Sequence, residues 1–143
     1  MSESKQYCTF FLDGLFFGVE VLKVQEVIRY QEMTGGPLAS PAIQGLINLR
    51  VQIVTAIDLR RRLELPARGT GELPMNVVVR TEDGAVSLLV DDIGDVVEIQ
   101  DDARERPPET LRGIARELVT GVYKLRERLL LILDTGKTLN FAT

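Results

Sequence analysis

A chain of 143 residues with 45% hydrophobic and 27% charged side chains can bury a core of its own without disulfide or metal, and it is too apolar to be disordered. Its net charge of −4 and pI near 4.9 argue against a nucleic-acid binder and against adhesion to anionic membranes, so the expected ligand is another protein. With no histidine and a single cysteine, the composition excludes His-based acid–base catalysis, phospho-histidine carriage, thiolate or His zinc sites and an internal disulfide.

The first residues, Met1 to Lys5, read as a polar, frayed start, with no apolar stretch suited to a signal peptide. Tyr7 to Leu12 alternates loosely, Asp13-Gly14 signals a tight turn, and Leu15 to Val19 completes a hairpin. Cys8 sits in this alternating stretch and reads as an inert buried thiol. From Glu20 the spacing changes: Val21, Leu22, Val24, Gln25 and Ile28 suggest a short helix over 21–28, although Val24 and Val27 also suit a strand. Glu26 on such a helix is either solvated or paired. Residues 33–41, with Gly35-Gly36-Pro37 and Pro41, read as an irregular loop.

Two apolar runs, 46–49 and 53–57, then form a hairpin buried over much of its length. A two-residue loop at 51–52 would place Val51 at a position that favours Gly or Asn, where positive φ costs a β-branched residue about 1–2 kcal/mol. Either the turn is of another type or it is strained. Arg60-Arg61-Arg62 reads as a solvated edge that discourages aggregation, with a docking patch as the minor alternative. Residues 64–74, with Pro66, Gly69, Gly71 and Pro74, read as a surface connection.

Strands follow at Val77 to Val79, Val86 to Val90 and Val96 to Ile99, with a turn at Glu82-Asp83-Gly84. The acidic stretch 91–109 lacks the spacing of a calcium loop and reads as a solvated loop. After Pro107-Pro108, Leu111 to Leu118 suggests a helical turn. Leu118 to Leu125 and Arg128 to Leu133 form a last hairpin with its tip at 124–127. Asp134 is placed to cap a short helix through Leu139. No internal repeat at a fixed period stands out. The longest aliphatic run, Leu129 to Leu133, is far short of a membrane span, so no membrane insertion and a cytoplasmic location are predicted. No phosphate loop and no dinucleotide fingerprint is present, and no cofactor is predicted.

Two segments stand together in order: Val21-Leu22-Lys23-Val24-Gln25-Glu26-Val27, then Gly45-x-x-Asn48-Leu49-Arg50 running into Ile53 to Arg60. Leu89-Val90-Asp91, the Pro107 loop and the closing Leu130-Leu131-Ile132-Leu133-Asp134 agree with them. The pattern, from about Tyr7 to Leu139, resembles the CheW family, the coupling proteins of bacterial chemotaxis. The resemblance implies a mainly β fold of two small SH3-like five-stranded barrels sharing a core, with few short helices. It implies a single domain over residues 6–140, a connection near 64–74, and a last strand and helix that pack back on the first barrel.

The implied role is non-enzymatic: an adaptor that couples the cytoplasmic tips of methyl-accepting chemoreceptors to the regulatory domain of the histidine kinase CheA. Val24, Glu26, Gly45 and Arg50 match positions linked in the family to receptor coupling. Asn48 matches the same motif and is either a partner contact or structural. Glu26 and Arg50 could pair across helix and strand and position a groove wall. The family usually carries Gly where Val51 stands and Pro where Thr55 stands. The alternatives from other classes are a stand-alone small β-barrel that binds another protein or a ligand, and a hydrolase built on two carboxylates, for which no pair is marked.

Overall fold

The computed structural model describes residues 3–34, 42–49, 52–69, 71–82 and 84–140. Ten strands make two five-stranded sheets. Strand β1 (Ser4–Leu12) turns through Asp13 and Gly14, at φ 49° and 77°, into β2 (Leu15–Glu20). Leu12 pairs with Leu15, so the Asp-Gly signal makes the two-residue turn it predicts. Val21–Lys23 is a single 3-10 turn, followed by β3 (Val24–Ile28), β4 (Ile43–Leu49) and β5 (Gln52–Asp58). Helix α1 (Leu59–Arg62) and a connection lead to β6 (Met75–Thr81), β7 (Gly84–Val90) and β8 (Asp92–Gln100). Helix α2 (Gly113–Leu118), β9 (Val119–Lys124), β10 (Leu129–Leu133) and α3 (Thr135–Leu139) complete the order.

The sheets run β8-β1-β2-β10-β9 and β3-β6-β7-β5-β4. Their inner strands are buried on both faces, which is why they read as near-continuous apolar runs. One face of each sheet meets the other in a shared core that includes Phe10, Leu12, Phe17 and Val19 from the first and Ile57, Val77, Val79, Leu88 and Val90 from the second. The opposite faces line two smaller cores. Tyr7, Tyr123, Leu130 and Ile132 pack in the first sheet, and Ile47, Ala56 and Leu89 in the second. This is the predicted pair of small β units sharing a core.

The two sheets have the same wiring. In each, an outer strand (β8 or β3) pairs antiparallel with the first strand of a hairpin (β1–β2 or β6–β7). The second hairpin strand runs parallel to β10 or β5, which pairs back with β9 or β4. An isolated bridge recurs as well, Thr34 with Leu46 and Glu105 with Val122. The sequence carries the same echo: Gly45, Leu49, Arg50, Asp58 and Leu63 recur at constant spacing as Gly121, Leu125, Arg126, Asp134 and Leu139. A repeat is therefore present where none was predicted. Each half gives its hairpin to one sheet and its remaining strands to the other, so similarity along the chain does not correspond to neighbours in space.

Several expectations need correcting. Of the helix expected over 21–28, Val21–Lys23 form one 3-10 turn and Val24–Ile28 are strand: Val24, Val27 and Ile28 are β-branched, and pairing with β6 selects the extended form. Residues 64–74 join β5 to β6 within one sheet, and the chain passes between sheets at Glu20–Lys23 and at Asp91. Gln52 is a strand residue paired with Leu49, not part of a loop at 51–52, and Val51 lies outside the described residues. Most of 91–100 is strand β8 rather than solvated loop. Cys8 is half-buried rather than fully enclosed, and burial pushes its thiol pKa up.

The arginines of 60–62 are not a uniformly solvated edge. Arg61 is exposed, but the Arg62 guanidinium donates to the Thr138, Lys137 and Asn140 carbonyls at 2.7, 2.9 and 3.4 Å, satisfying the C-terminal end of α3. Asp134 caps α3 as predicted, accepting from the Lys137 amide at 3.0 Å, and Asp58 caps α1 by accepting from the Arg60 amide at 3.1 Å.

Candidate partner-binding site

The predicted site residues sit on the two outer strands of the second sheet. Val24 and Glu26 lie on β3, whose strand partner among the described residues is β6. A row of main-chain groups on its other side is thereby left as a sheet edge. Val24 is half-buried against the shared core. Glu26 is half-buried and accepts from the Gln25 side chain at 3.4 Å, a long contact. A register shift between Val24 and Glu26 bends the strand. Arg80 on β6 supports this edge from beneath, its Nη1 donating to the Val24 carbonyl at 2.8 Å and the Leu22 carbonyl at 3.4 Å.

Gly45 and Asn48 lie on β4, and the strand's alternation puts them on opposite faces. Gly45 is buried where the chain crosses back: a Cβ there would stand 2.9 Å from the Thr34 carbonyl oxygen and 3.2 Å from the Met33 Cβ. Thr34 and Leu46 exchange two main-chain hydrogen bonds at 2.8 Å across this contact. The glycine thus permits a close backbone approach that helps fold the sheet around its small core. Asn48 is exposed and pairs with Ile53 on the outer face. The structure therefore gives Gly45 an architectural place and Asn48 a surface one. Arg50 lies outside the described residues, as does the predicted Glu26–Arg50 pair.

Two residues that the sequence reading left out of the site are the most exposed large apolar side chains, Leu22 at 87% and Ile53 at 69%. They flank a cleft of about 1100 Å³ lined also by Lys23, Thr55, Arg80 and Leu139. Exposed aliphatic side chains around a shallow, open cleft favour contact with a protein surface over capture of a small molecule. Glu82 is the one carboxylate among the described residues of that lining. Among the described residues, no cluster of three or more potential ligands could hold a metal ion. No helix among them is long and apolar enough to cross a membrane.

Elsewhere on the molecule lies a charge cluster that sequence spacing did not reveal. The Asp91 carboxylate accepts from Arg60 Nε at 2.8 Å and Nη2 at 2.5 Å, from Arg68 Nη2 at 3.2 Å and Nε at 3.3 Å, and from the Asp13 amide at 2.8 Å. Arg68 also lies 3.6 Å from Asp58. Burial pushes the Asp91 carboxyl upward, but the Arg60 hydrogen bonds, the Asp13 amide and the nearby guanidinium charges outweigh it and hold the group below the usual carboxylate range. The Arg60 pKa is raised, chiefly by the hydrogen bond to Asp91, with burial opposing it.

Two linked β units, with Leu22 and Ile53 exposed beside an open cleft of mixed polar and apolar lining, suit contact with a protein surface. The chain belongs to the CheW family: the CheW-like domain is matched over residues 6–142. It is 28% identical over 139 residues to the chemotaxis protein CheW of Treponema pallidum, covering 94% of this chain and 82% of that one. It is 30% identical over 136 residues to the chemotaxis protein CheW of Klebsiella aerogenes, covering 95% and 82%. The fold is similar to the crystal structure of the scaffolding protein TtCheW from Thermoanaerobacter tengcongensis, with a TM-score of 0.84 at 26% identity over 99% of this chain and 91% of that one. Members of the family are scaffolds, and this protein is not an enzyme.

Proposed function

We propose that this protein is a cytoplasmic chemotaxis adaptor that couples methyl-accepting chemoreceptor tips to the regulatory domain of the histidine kinase CheA. The observation that carries this reading is the CheW-like match over nearly the whole chain, joined to exposed Leu22 and Ile53 around an open cleft and to a strand, β3, that is outermost in its sheet among the described residues. In this account Val24 and Glu26 on β3 and Arg50 after β4 contact or align the receptor. Asn48 presents a polar group on the same sheet, and Gly45 maintains the strand crossing that holds β4 in place. Coupling requires that the contacts differ in energy between signalling states, because a partner that binds both states equally shifts neither.

Charge reversal at Arg50, with the domain still folded, is the test. Reduced equilibrium affinity for a soluble receptor-tip fragment is expected, and unchanged affinity would contradict the assignment of this residue to receptor coupling.

A further inference from the structure

The repeated wiring makes the two passages between the sheets directly comparable, since Val19-Glu20 leads from β2 to the edge strand β3 as Val90-Asp91 leads from β7 to the edge strand β8. Each passage carries a carboxylate after a buried valine. The two carboxylates are held very differently. Asp91 is fixed to both sheets at once. Its amide donates to the Phe11 carbonyl at 3.0 Å, and its side chain binds the Asp13 amide, on the first sheet's side. The same carboxylate binds Arg60 and Arg68, whose side chains are each 11% exposed, on the second sheet's side.

Glu20 has a 41% exposed side chain and, among the described residues, one ion pair, to Lys5 at 3.4 Å, which belongs to its own sheet. The 3-10 turn that follows has no buried residue and no side-chain cap, and the hydrogen bonds from Arg80 to the Leu22 and Val24 carbonyls, at 3.4 and 2.8 Å, lie exposed within the second sheet and do not tie the joint to the first. Strands β3 and β8 are themselves alike in having no fully buried residue, so the contrast lies in the joints and not in the edges.

We propose that these passages are mechanically unequal: Asp91 is a fixed pivot between the sheets, and Glu20–Lys23 is a compliant joint that lets the start of β3 shift while the shared core stays closed. Local opening is cheapest where few apolar groups are buried and hydrogen bonds face solvent, and the Glu20 joint meets both conditions. The inference does not depend on the partner's identity. Its consequence for coupling, that the give lies directly before Val24 and Glu26, rests on the proposed function.

Amide hydrogen exchange on the full chain tests it without any partner. The amides of the paired residues Val24 and Glu26 in β3 are expected to exchange at least about tenfold faster than those of the paired residues Ile93 and Val96 in β8. Asp91→Asn is expected to bring Ile93 and Val96 up to the rate of Val24 and Glu26, while Val24 and Glu26 change little. If that variant does not fold, Arg68→Gln removes one guanidinium and should move Ile93 and Val96 in the same direction by a smaller factor. Equal protection of the two edges in the unaltered protein would overturn the proposal. So would variants that accelerate both edges by the same factor, because the passages would then open as one unit.

Discussion

Arg60 and Asp91 meet through two hydrogen bonds, Nε at 2.8 Å and Nη2 at 2.5 Å, although they stand 31 residues apart in the chain. The pair joins the start of α1 to the point where the chain leaves the second sheet for the first. A bidentate contact of this kind fixes orientation as well as distance, and Arg68 closes the remaining side of the carboxylate.

Asp91→Asn should lower stability at neutral pH by about 2–3 kcal/mol, since both guanidinium groups lose their counter-charge in a partly buried setting. The Asp91 pKa is depressed in the folded protein. Its contribution is therefore present above the unfolded value near 4 and is lost as pH falls through the lower folded value. Urea unfolding of both proteins as a function of pH should show a gap that is full at neutral pH and narrows only below about pH 4. A gap that does not change on acidification would contradict the ionic origin of the contact.

Gly45→Ala should destabilise by about 1–3 kcal/mol, because the added methyl would meet the Thr34 carbonyl at 2.9 Å, and backbone does not yield easily. The local signature is lost exchange protection at the Thr34 and Leu46 amides, which bridge the two segments. A variant of full stability with these amides still protected would show that the close approach is not required.

The two helix caps should differ in cost. Asp134→Ala removes a cap alone and should cost about 1 kcal/mol. Asp58→Ala removes both a cap and the carboxylate 3.6 Å from Arg68, and should cost more. Thermal or urea unfolding of the two variants side by side checks the order, and an equal or smaller loss at Asp58 would contradict it.

Leu22→Ser and Ile53→Ser should change stability by no more than about 0.5 kcal/mol, because both side chains are largely in solvent. If the cleft between them is a partner surface, the same variants should weaken assembly with receptor or kinase by about tenfold or more, as removal of an apolar anchor does. Full assembly by the double variant would place the partner elsewhere on the molecule.

Much of the strand pattern was legible in the sequence. Asp13-Gly14 specified its turn, the run Leu129 to Leu133 is a strand buried on both faces, and Asp134 is the cap its position predicted. The errors fall where long-range pairing decides. The apolar spacing of 21–28 fits a helix in isolation, but an available edge on β6 made it a strand. The acidic stretch read as a solvated loop because it lacks calcium-loop spacing, whereas Asp91 is paired with Arg60 of α1 and Arg68 of the connection after it.

The candidate site residues are marked in the sequence by a motif, and their geometry is not. Val24 and Glu26 do lie together on one edge, but the motif gave no sign that Gly45 faces inward while Asn48 faces out. Leu22 lay inside the quoted motif and Ile53 opened its continuation, yet spacing alone could not show that both point to solvent. The repeat was hidden because few identities survive between halves whose strands are exchanged between the two sheets.

Co-sedimentation with receptor-containing membranes and the kinase CheA tests the adaptor role most directly. The protein is expected to pellet with receptors and to increase the kinase recovered in the pellet, and Arg50→Glu is expected to reduce both. Kinase recovery that is the same with and without the protein, or a protein that stays in the supernatant with both partners present, would contradict that role.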